Sequence, residues 1–295
     1  MILSCVALLS PGDMGHSVGR VLVEHGLRVI TCLGGRSART RALAAEAGIA
    51  DVPTYDDLVR QAQILLSILV PAQAEAAADE VARALERTSS ELLYADCNAI
   101  APQTVRAIGE RIGAAGGRFV DASIIGGPPR GASVPRMYAS GPHAAALVAL
   151  NAYGLRIVSL EGPIGDASAV KMCYAALTKG LTALCTLLLT GAERLGVSAA
   201  LYAELEASQR AMLQSMRRGV PGMTSKAHRW VGEMEQIAAT FEGVGLSPQF
   251  HLGAAQIYRL VAATSLAERT PEDTAPAPTL EEVIAILAAH GWPAD

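Results

Sequence analysis

The chain has 295 residues, 24 basic and 28 acidic side chains, a net charge of −4, and a hydrophobic share of 51% with few aromatics. At roughly 150 residues per domain this length suits two domains, and the apolar share suits a large core of alanine, leucine and valine. The small net charge and the absence of a basic run argue against a nucleic-acid partner. Cys5, Cys32, Cys97, Cys173 and Cys185 are odd in number, widely spaced and form no C-x-x-C pair. They read as reduced thiols filling small core spaces, with no zinc site. The opening run ILSCVALL lacks a charged leader and a cleavage motif, so a cytoplasmic protein is expected.

Residues 2–9 have the apolar density of a buried parallel strand. SPGDMGHSVG (Ser10 to Gly19) follows, then an amphipathic stretch through His25 and a second strand, LRVITCL. Strand, tight glycine turn, helix and strand in about thirty residues is the βαβ dinucleotide pattern. Gly12 would let the backbone approach a pyrophosphate, and Gly15 would let the helix lie close on the strand. The helix N-terminus offers free N–H groups and a positive dipole end to the phosphates. One departure is plain: Ser10 stands where the fingerprint has its first glycine.

The end of the second strand bears on which dinucleotide binds. An NAD site places Asp or Glu there for the ribose 2′-hydroxyl; this chain has LGGRSARTR, with no carboxylate from Leu27 to Ala45. Arg36, Ser37 and Arg39 are suited to a 2′-phosphate. Basic side chains at a helix start are electrostatically unfavourable unless an anion binds there, which favours NADP over NAD.

The alternation continues with a helix from Tyr55 to Arg60, a strand at 64–70, and a helix from Ala72 to Glu86. LLYADCNAI is a strand ending near Asp96 to Asn98, and a helix starts at Pro102. RFVDAS runs into the loop IIGGPPRG (124–131), VPRMYAS is a further strand, 142–150 a short helix, and LRIVSL (155–160) closes the sheet. The expected fold is α/β: a Rossmann-type doubly wound sheet with an added strand pair over residues 1–162, then an all-α domain over 163–295. A polar linker is expected around Arg269 to Pro278.

GPIGDASAVKMCYAALTKGLTALCTLLL (Gly162 to Leu189) joins the two parts. Asp166 or Ser168 would cap the helix after the turn residues. The uninterrupted apolar part is too short for a membrane span and contains Lys179, so a buried interdomain helix is expected. A lysine there is costly unless paired or used. Lys179 points about 80° away from Lys171 around the helix and is assigned a structural or interface role.

Farther on, His228, Arg229 and Glu233 share one helix, with Arg229 and Glu233 spaced as an exposed ion pair. A side chain of this region lining the pocket is the alternative. His251 and His290 read as surface or cap residues. Thr279 and Glu282 form a capping box for a helix with apolar residues at Val283, Ile286 and Leu287 and a stop at Gly291.

The order of these motifs resembles the β-hydroxyacid dehydrogenase superfamily, which includes 3-hydroxyisobutyrate and 6-phosphogluconate dehydrogenases. SPGDMG corresponds to its G-x-G-x-M-G, DCNAIAP to D-x-S-T-x-x-P, DASIIGGPPRG to the D-A-P-V-S-G-G substrate loop, and GPIGDASAVKMCYA to the block with the catalytic lysine. The helical remainder, with KAHRWVGEMEQIA, resembles a subgroup whose C-terminal domain is poorly characterised. The resemblance implies a catalytic role for Lys171 and a homodimer formed through the C-terminal helices. It implies cofactor contacts at Ser10, Pro11, Gly12, Asp13, Met14, Gly15, Arg36, Ser37, Val70 and Asn98. Substrate contacts are implied at Asn98, Ser123, Gly126, Gly127, Tyr174 and Ala175, with no metal.

The departures shape the reading. The family asparagine four residues past the lysine is Ala175, with Tyr174 beside it as a substitute; the substrate-loop serine is Ile125; the Ser-Thr pair is Asn98-Ala99. The pocket is therefore expected to be more apolar than that of the common short hydroxy acids. Chemically, oxidising an alcohol by hydride transfer requires removal of the hydroxyl proton. A lysine desolvated between Val170 and Met172 has the lowered pKa this needs. The expected activity is NADP(H)-dependent hydride transfer to or from a β-hydroxy acid or its keto form. The alternatives are an imine reductase on the same architecture, which usually lacks this lysine, and a non-catalytic NADP-binding sensor or scaffold.

Overall fold

The structure, a computed structural model, describes residues 3–131, 133–269 and 276–292. Residues 270–275 of the expected polar linker lie outside the described residues. The chain divides into two compact units, Met1–Met172 and Cys173–Asp295.

The first unit is built on one eight-stranded sheet. In chain order it contains β1 (Cys5–Leu9), α1 (Asp13–Glu24), β2 (Arg28–Thr31), α2 (Ala38–Glu46), β3 (Ala50–Asp51), α3 (Tyr55–Gln61), β4 (Ile64–Ser67) and α4 (Ala74–Thr88). It continues with β5 (Leu93–Asp96), α5 (Pro102–Ala114), β6 (Arg118–Ile125), β7 (Arg136–Ser140), α6 (Ala144–Leu147) and β8 (Arg156–Ser159). The strand order is β3-β2-β1-β4-β5-β6-β7-β8. All pairs are parallel except β6–β7, so the first six strands have the doubly wound order of dinucleotide-binding folds, with β7 and β8 added at one edge. In β1 every residue is buried, and alternate residues serve opposite faces: Val6 and Leu8 join one core cluster, Cys5, Ala7 and Leu9 the other.

The strand expected at 64–70 ends at Ser67. The reason is local: the Asn98 side chain takes the Leu69 N–H at 2.5 Å and turns the chain out of the sheet. The two-residue β3 carries no apolar run and was not expected.

The long helix α7 (Asp166–Arg194) begins in the first unit and ends in the second. The division at Met172 lies ten residues past the expected 162/163 boundary, because the first turn of α7 is hydrogen-bonded to the sheet. Contrary to the reading of its apolar run, α7 is long and apolar enough, by length and composition, to cross a membrane. Both its lysines engage protein groups, which makes it a helix of the fold.

The second unit continues with α8 (Ser198–Ser208), α9 (Arg210–Met223), α10 (Ala227–Glu242), α11 (Gln249–Ala262) and α12 (Leu280–Ala289). Among the described residues no strand follows Ser159. The Thr279/Glu282 capping box forms. On α12, however, Ile284 is buried beside Val283 and Leu287 while Ile286 is exposed.

Lys179 pairs with Glu233 and lies 5.1 Å from the ring centroid of Trp230. Trp230 meets Tyr258 edge-on at 5.3 Å, and the Tyr258 hydroxyl donates to the Lys179 carbonyl at 2.6 Å. The Glu233 carboxylate thus serves Lys179. Two expectations are corrected. His251 is buried, with its ring against Phe241 and Phe250. All five cysteines are free, but Cys173 is exposed and fills no core space.

Candidate active site

In a doubly wound sheet the ligand crevice lies at the carboxyl ends of the strands, and the first turn there runs from β1 into α1. Ser10 adopts φ +61°, a left-handed conformation that glycine takes freely and an L-residue adopts at a cost. Its carbonyl accepts the Gly12 N–H at 2.7 Å. A Cβ on Gly15 would lie 2.3 Å from that same carbonyl oxygen and 3.0 Å from Leu8. Gly19 holds a similar place against Ile49 one turn later, at 2.6 Å. At Gly12 a Cβ would meet nothing within 4 Å. Gly15 and Gly19 are therefore needed for helix–strand packing, whereas Gly12 leaves open space at the start of α1, where a pyrophosphate fits. Gly12 is also the N-cap and has no side chain to occupy the first free N–H groups.

Pro11 is buried, and Met14 packs against the core. Asp13 pairs with Arg39 at 2.5 Å, which ties α2 to the phosphate loop and gives Arg39 a structural task. The β2–α2 loop is fixed by Asp51, whose Oδ1 accepts the Leu33 N–H at 2.9 Å. Ser37 caps α2 by accepting the Thr40 N–H at 3.2 Å. Arg36 is half-buried, with its guanidinium close enough to the Tyr55 side chain to act on it electrostatically. Arg36 and Ser37 thus lie together on this loop.

Near the carboxyl ends of the central strands a polar row crosses the sheet. Ser67 pairs in register with Asp96, Asp96 with Asp121, and Asp121 with Ser140. All four are fully buried. Register partners project to one face, at a strand spacing of about 4.8 Å, so the two carboxylates are neighbours. Asp96 accepts the Asn98 backbone N–H at 2.9 Å through Oδ1 and the Asn98 amide at 3.1 Å through Oδ2.

Asp121 carries the start of α7. Its Oδ2 accepts from the N–H of Gly165 at 2.9 Å, the N–H of Ser168 at 3.0 Å and the Ser140 hydroxyl at 3.0 Å. Its Oδ1 accepts from the Ser168 hydroxyl at 2.7 Å, and the Ala167 N–H donates to Ser140 Oγ at 3.0 Å. The N-terminus of α7 is therefore capped by side chains of β6 and β7, not by Asp166 or Ser168 as expected.

Lys171 follows Ser168 by one turn on the same face. The residue keeps part of its surface open, but its ammonium lies deep among protein atoms. Burial brings the amine down to about 8, opposed by the nearby Asp96 and Asp121 carboxyls, while burial keeps the adjacent Cys97 thiol protonated. Burial lifts Asp96 to about 7, opposed by its bonds from Asn98, with Asp121 raising it further and Lys171 lowering it. Two groups that titrate near neutrality thus interact at the sheet's carboxyl edge. Such an amine can take a proton from a hydroxyl or give one to a carbonyl oxygen.

The other expected site residues divide. Asn98 is buried, and both its amide hydrogens stay within the protein, one on Ser67 Oγ at 3.1 Å and one on Asp96. Its side chain thus braces Ser67 and Asp96 through its two amide hydrogens. Ser123 is buried, its hydroxyl without a partner among the described residues. Gly126 has φ +132°, and a Cβ there would lie 3.0 Å from Pro135; at Gly127 a Cβ would meet nothing within 4 Å. Val70 and Tyr174 are exposed, and Ala175 is buried. The residues missed as functional groups are Asp96, Asp121 and Ser140. The signal was present: a carboxylate inside LLYAD or RFVDAS, runs dense enough to be buried strands, must have partners.

Residues 6–152 match the NAD binding domain of 6-phosphogluconate dehydrogenase, and residues 192–261 match a domain of unknown function, DUF1932. The chain is similar to the "uncharacterized 28.5 kDa protein in 7S RNA 5′ region" of Methanothermus fervidus, 30% identical over 204 residues, 69% of this chain and 77% of that one. It is also similar to a conserved protein of unknown function whose structure shows similarity with 3-hydroxyacid dehydrogenases. There the identity is 30% and the TM-score 0.67, over 90% of this chain and 100% of the other. In fold it is similar to 3-hydroxyisobutyrate dehydrogenase of Mycobacterium tuberculosis, with 18% identity and a TM-score of 0.72, over 98% and 100% of the two chains.

Proposed function

This chain belongs to the β-hydroxyacid dehydrogenase superfamily, in the subgroup with a 6-phosphogluconate-dehydrogenase-type nucleotide domain and a helical C-terminal domain. On that premise we propose that it is an NADP(H)-dependent oxidoreductase acting on a β-hydroxy acid or its keto form. Lys171 is the general acid and base. When bound, the dinucleotide supplies the hydride acceptor or donor at its nicotinamide ring. Gly12 and the first N–H groups of α1 would hold the pyrophosphate, and Arg36 and Ser37 the 2′-phosphate. In the oxidation the Lys171 amine takes the proton from the substrate hydroxyl oxygen as hydride leaves the carbon bearing that oxygen; in the reduction its ammonium returns that proton to the carbonyl oxygen. The backbone N–H groups of Gly126 and Gly127 would orient the substrate carboxylate.

The observation that supports this reading is the buried Lys171 amine, brought to about 8 at the carboxyl edge of the sheet beside Asp96 and Asp121. The test is a screen of NADPH consumption and NADP reduction against hydroxy acids, keto acids and cyclic imines. Turnover of a hydroxy or keto acid supports the reading. Turnover of cyclic imines alone would move the chain to imine reduction, and no turnover in any class would favour a nucleotide-binding sensor.

We further propose a homodimer formed through the C-terminal helices, with a small molecule as the other partner and neither nucleic acid nor membrane involved. Along α7 the exposed Tyr174, Leu177, Leu184 and Leu187 recur at helical spacing. Sedimentation equilibrium should give twice the 30.6 kDa chain mass. The five free thiols suit a reducing compartment, in keeping with a cytoplasmic location.

A further inference from the structure

The start of α7 has local capping residues in its own sequence, Asp166 and Ser168, yet a buried carboxylate from the sheet does the capping. Asp121 receives four donors, two of them backbone N–H groups of the turn into α7 and two the hydroxyls of Ser168 and Ser140. Ser140 in turn accepts the Ala167 N–H. Three backbone N–H groups at the start of the helix, at positions 165, 167 and 168, are therefore tied to two strands. The helix is fixed both along its axis and in rotation. Lys171 lies three residues beyond Ser168, a rise of about 4.5 Å, on the same helix face. The Asp121 carboxylate also acts electrostatically on the Lys171 ammonium.

We propose that Asp121 is a positioning residue for Lys171: with Ser140 and Ser168 it forms a buried joint that sets where the amine points, and its charge helps to hold the amine's proton. This inference rests on the reading of Lys171 as general acid and base. It assigns to β6 a task that no ligand contact reveals. The groups that face the amine are Asp96 at the end of β5, Cys97 just after it, and Asp121 on β6. Asp96 is braced by Asn98 and makes no bond to α7 in this joint, so Asp121 alone combines the charge with the mechanical tie.

Two substitutions separate these parts. Asp121→Asn removes the charge and keeps most of the joint: the amide oxygen can accept the bonds of Oδ2, and the amide nitrogen can donate to Ser168 Oγ, whose own hydroxyl hydrogen then loses this acceptor. Ser168→Ala keeps the charge and removes one tie. The first readout is the half-titration of Lys171, followed by acetic anhydride labelling and mass spectrometry across pH, which needs no substrate. The second is kcat on a substrate from the screen, and the third is the NADPH dissociation constant. In Asp121→Asn the half-titration should move down by about one pH unit. In Ser168→Ala it should stay in place while kcat falls about tenfold, as expected for a misplaced catalytic group. NADPH binding should change less than about threefold in both, because the joint does not touch the phosphate loop.

An unmoved half-titration in Asp121→Asn together with kcat within about twofold in Ser168→Ala would overturn the proposal. Should Asp121→Asn fail to fold, Ser168→Ala decides alone, and kcat within about twofold of wild type overturns it. Failure of the acid–base reading is told apart by Lys171→Ala. If that variant keeps full turnover, Lys171 is not catalytic, yet the labelling shift in Asp121→Asn still reports the coupling.

Discussion

The carbonyl oxygen of Ser10 lies 2.3 Å from the point where a side chain on Gly15 would place its first carbon. The left-handed turn at Ser10 aims this oxygen at α1, and the glycine allows the helix to approach it. The two positions therefore respond oppositely to substitution. Ser10→Gly relieves a left-handed L-residue, about 1–2 kcal/mol, less about 0.5–1 kcal/mol for the freer unfolded chain. It should stabilise the protein slightly. Gly15→Ala forces backbone against backbone and should destabilise it by about 1–3 kcal/mol and weaken NADPH binding. Urea unfolding of both variants checks this; a Gly15→Ala protein as stable as wild type would contradict the packing role.

Arg36 and Ser37 stand on the β2–α2 loop, with Arg36 beside Tyr55. NADPH should bind more tightly than NADH. Arg36→Ala should remove a charge-assisted bond of about 1.5–3 kcal/mol, roughly 10–150-fold in NADPH affinity, with little effect on NADH. Fluorescence titrations giving equal affinities for both cofactors, unchanged by the substitution, would sink the assignment.

The pH dependence follows from an amine brought to about 8. Oxidation needs Lys171 neutral, so its kcat/KM should rise about tenfold per unit up to about pH 8 and then level. Reduction needs the ammonium, so its profile should be flat below about 8 and fall above it. Asp96→Asn removes a negative neighbour that raises the amine, so both limbs should move to lower pH. Limbs found near the ordinary lysine value of 10.5 would mean that the amine works in water.

Much of this was legible in the sequence because the signals are local. The glycine loop between two apolar runs gave the nucleotide fold, and Thr279 with Glu282 gave a cap that forms as expected. The site was legible as far as Lys171, whose apolar neighbours imply desolvation. The Asp121 joint was not, because it spans 44 and 47 residues of chain and depends on which strands are neighbours. Local capping by Asp166 or Ser168 was the simpler reading of that turn. The bracing task of Asn98 was hidden for a similar reason: only the register of Ser67 with Asp96 brings its amide to both.

Lys179 should matter to stability and not to chemistry. Its partner Glu233 and its own side chain are 17% and 16% exposed, so Lys179→Ala leaves a largely buried carboxylate without its ammonium. A loss of about 2–4 kcal/mol is expected, below the full value for a wholly buried pair because both groups retain some water. Lys179→Met with Glu233→Leu should recover most of it. Denaturation midpoints of the single and double variants measure this, and a neutral Lys179→Ala would show that the pair contributes nothing.

The most direct test of the account is the turnover of Lys171→Ala on a substrate found by the NADPH screen. A general acid and base supplies about 10²–10⁴-fold, so kcat should fall by that factor while the NADPH dissociation constant stays near wild type. Lys171→Arg should not restore activity, since a guanidinium stays protonated. A folded, NADPH-binding Lys171→Ala enzyme with kcat within about fivefold of wild type would contradict the account.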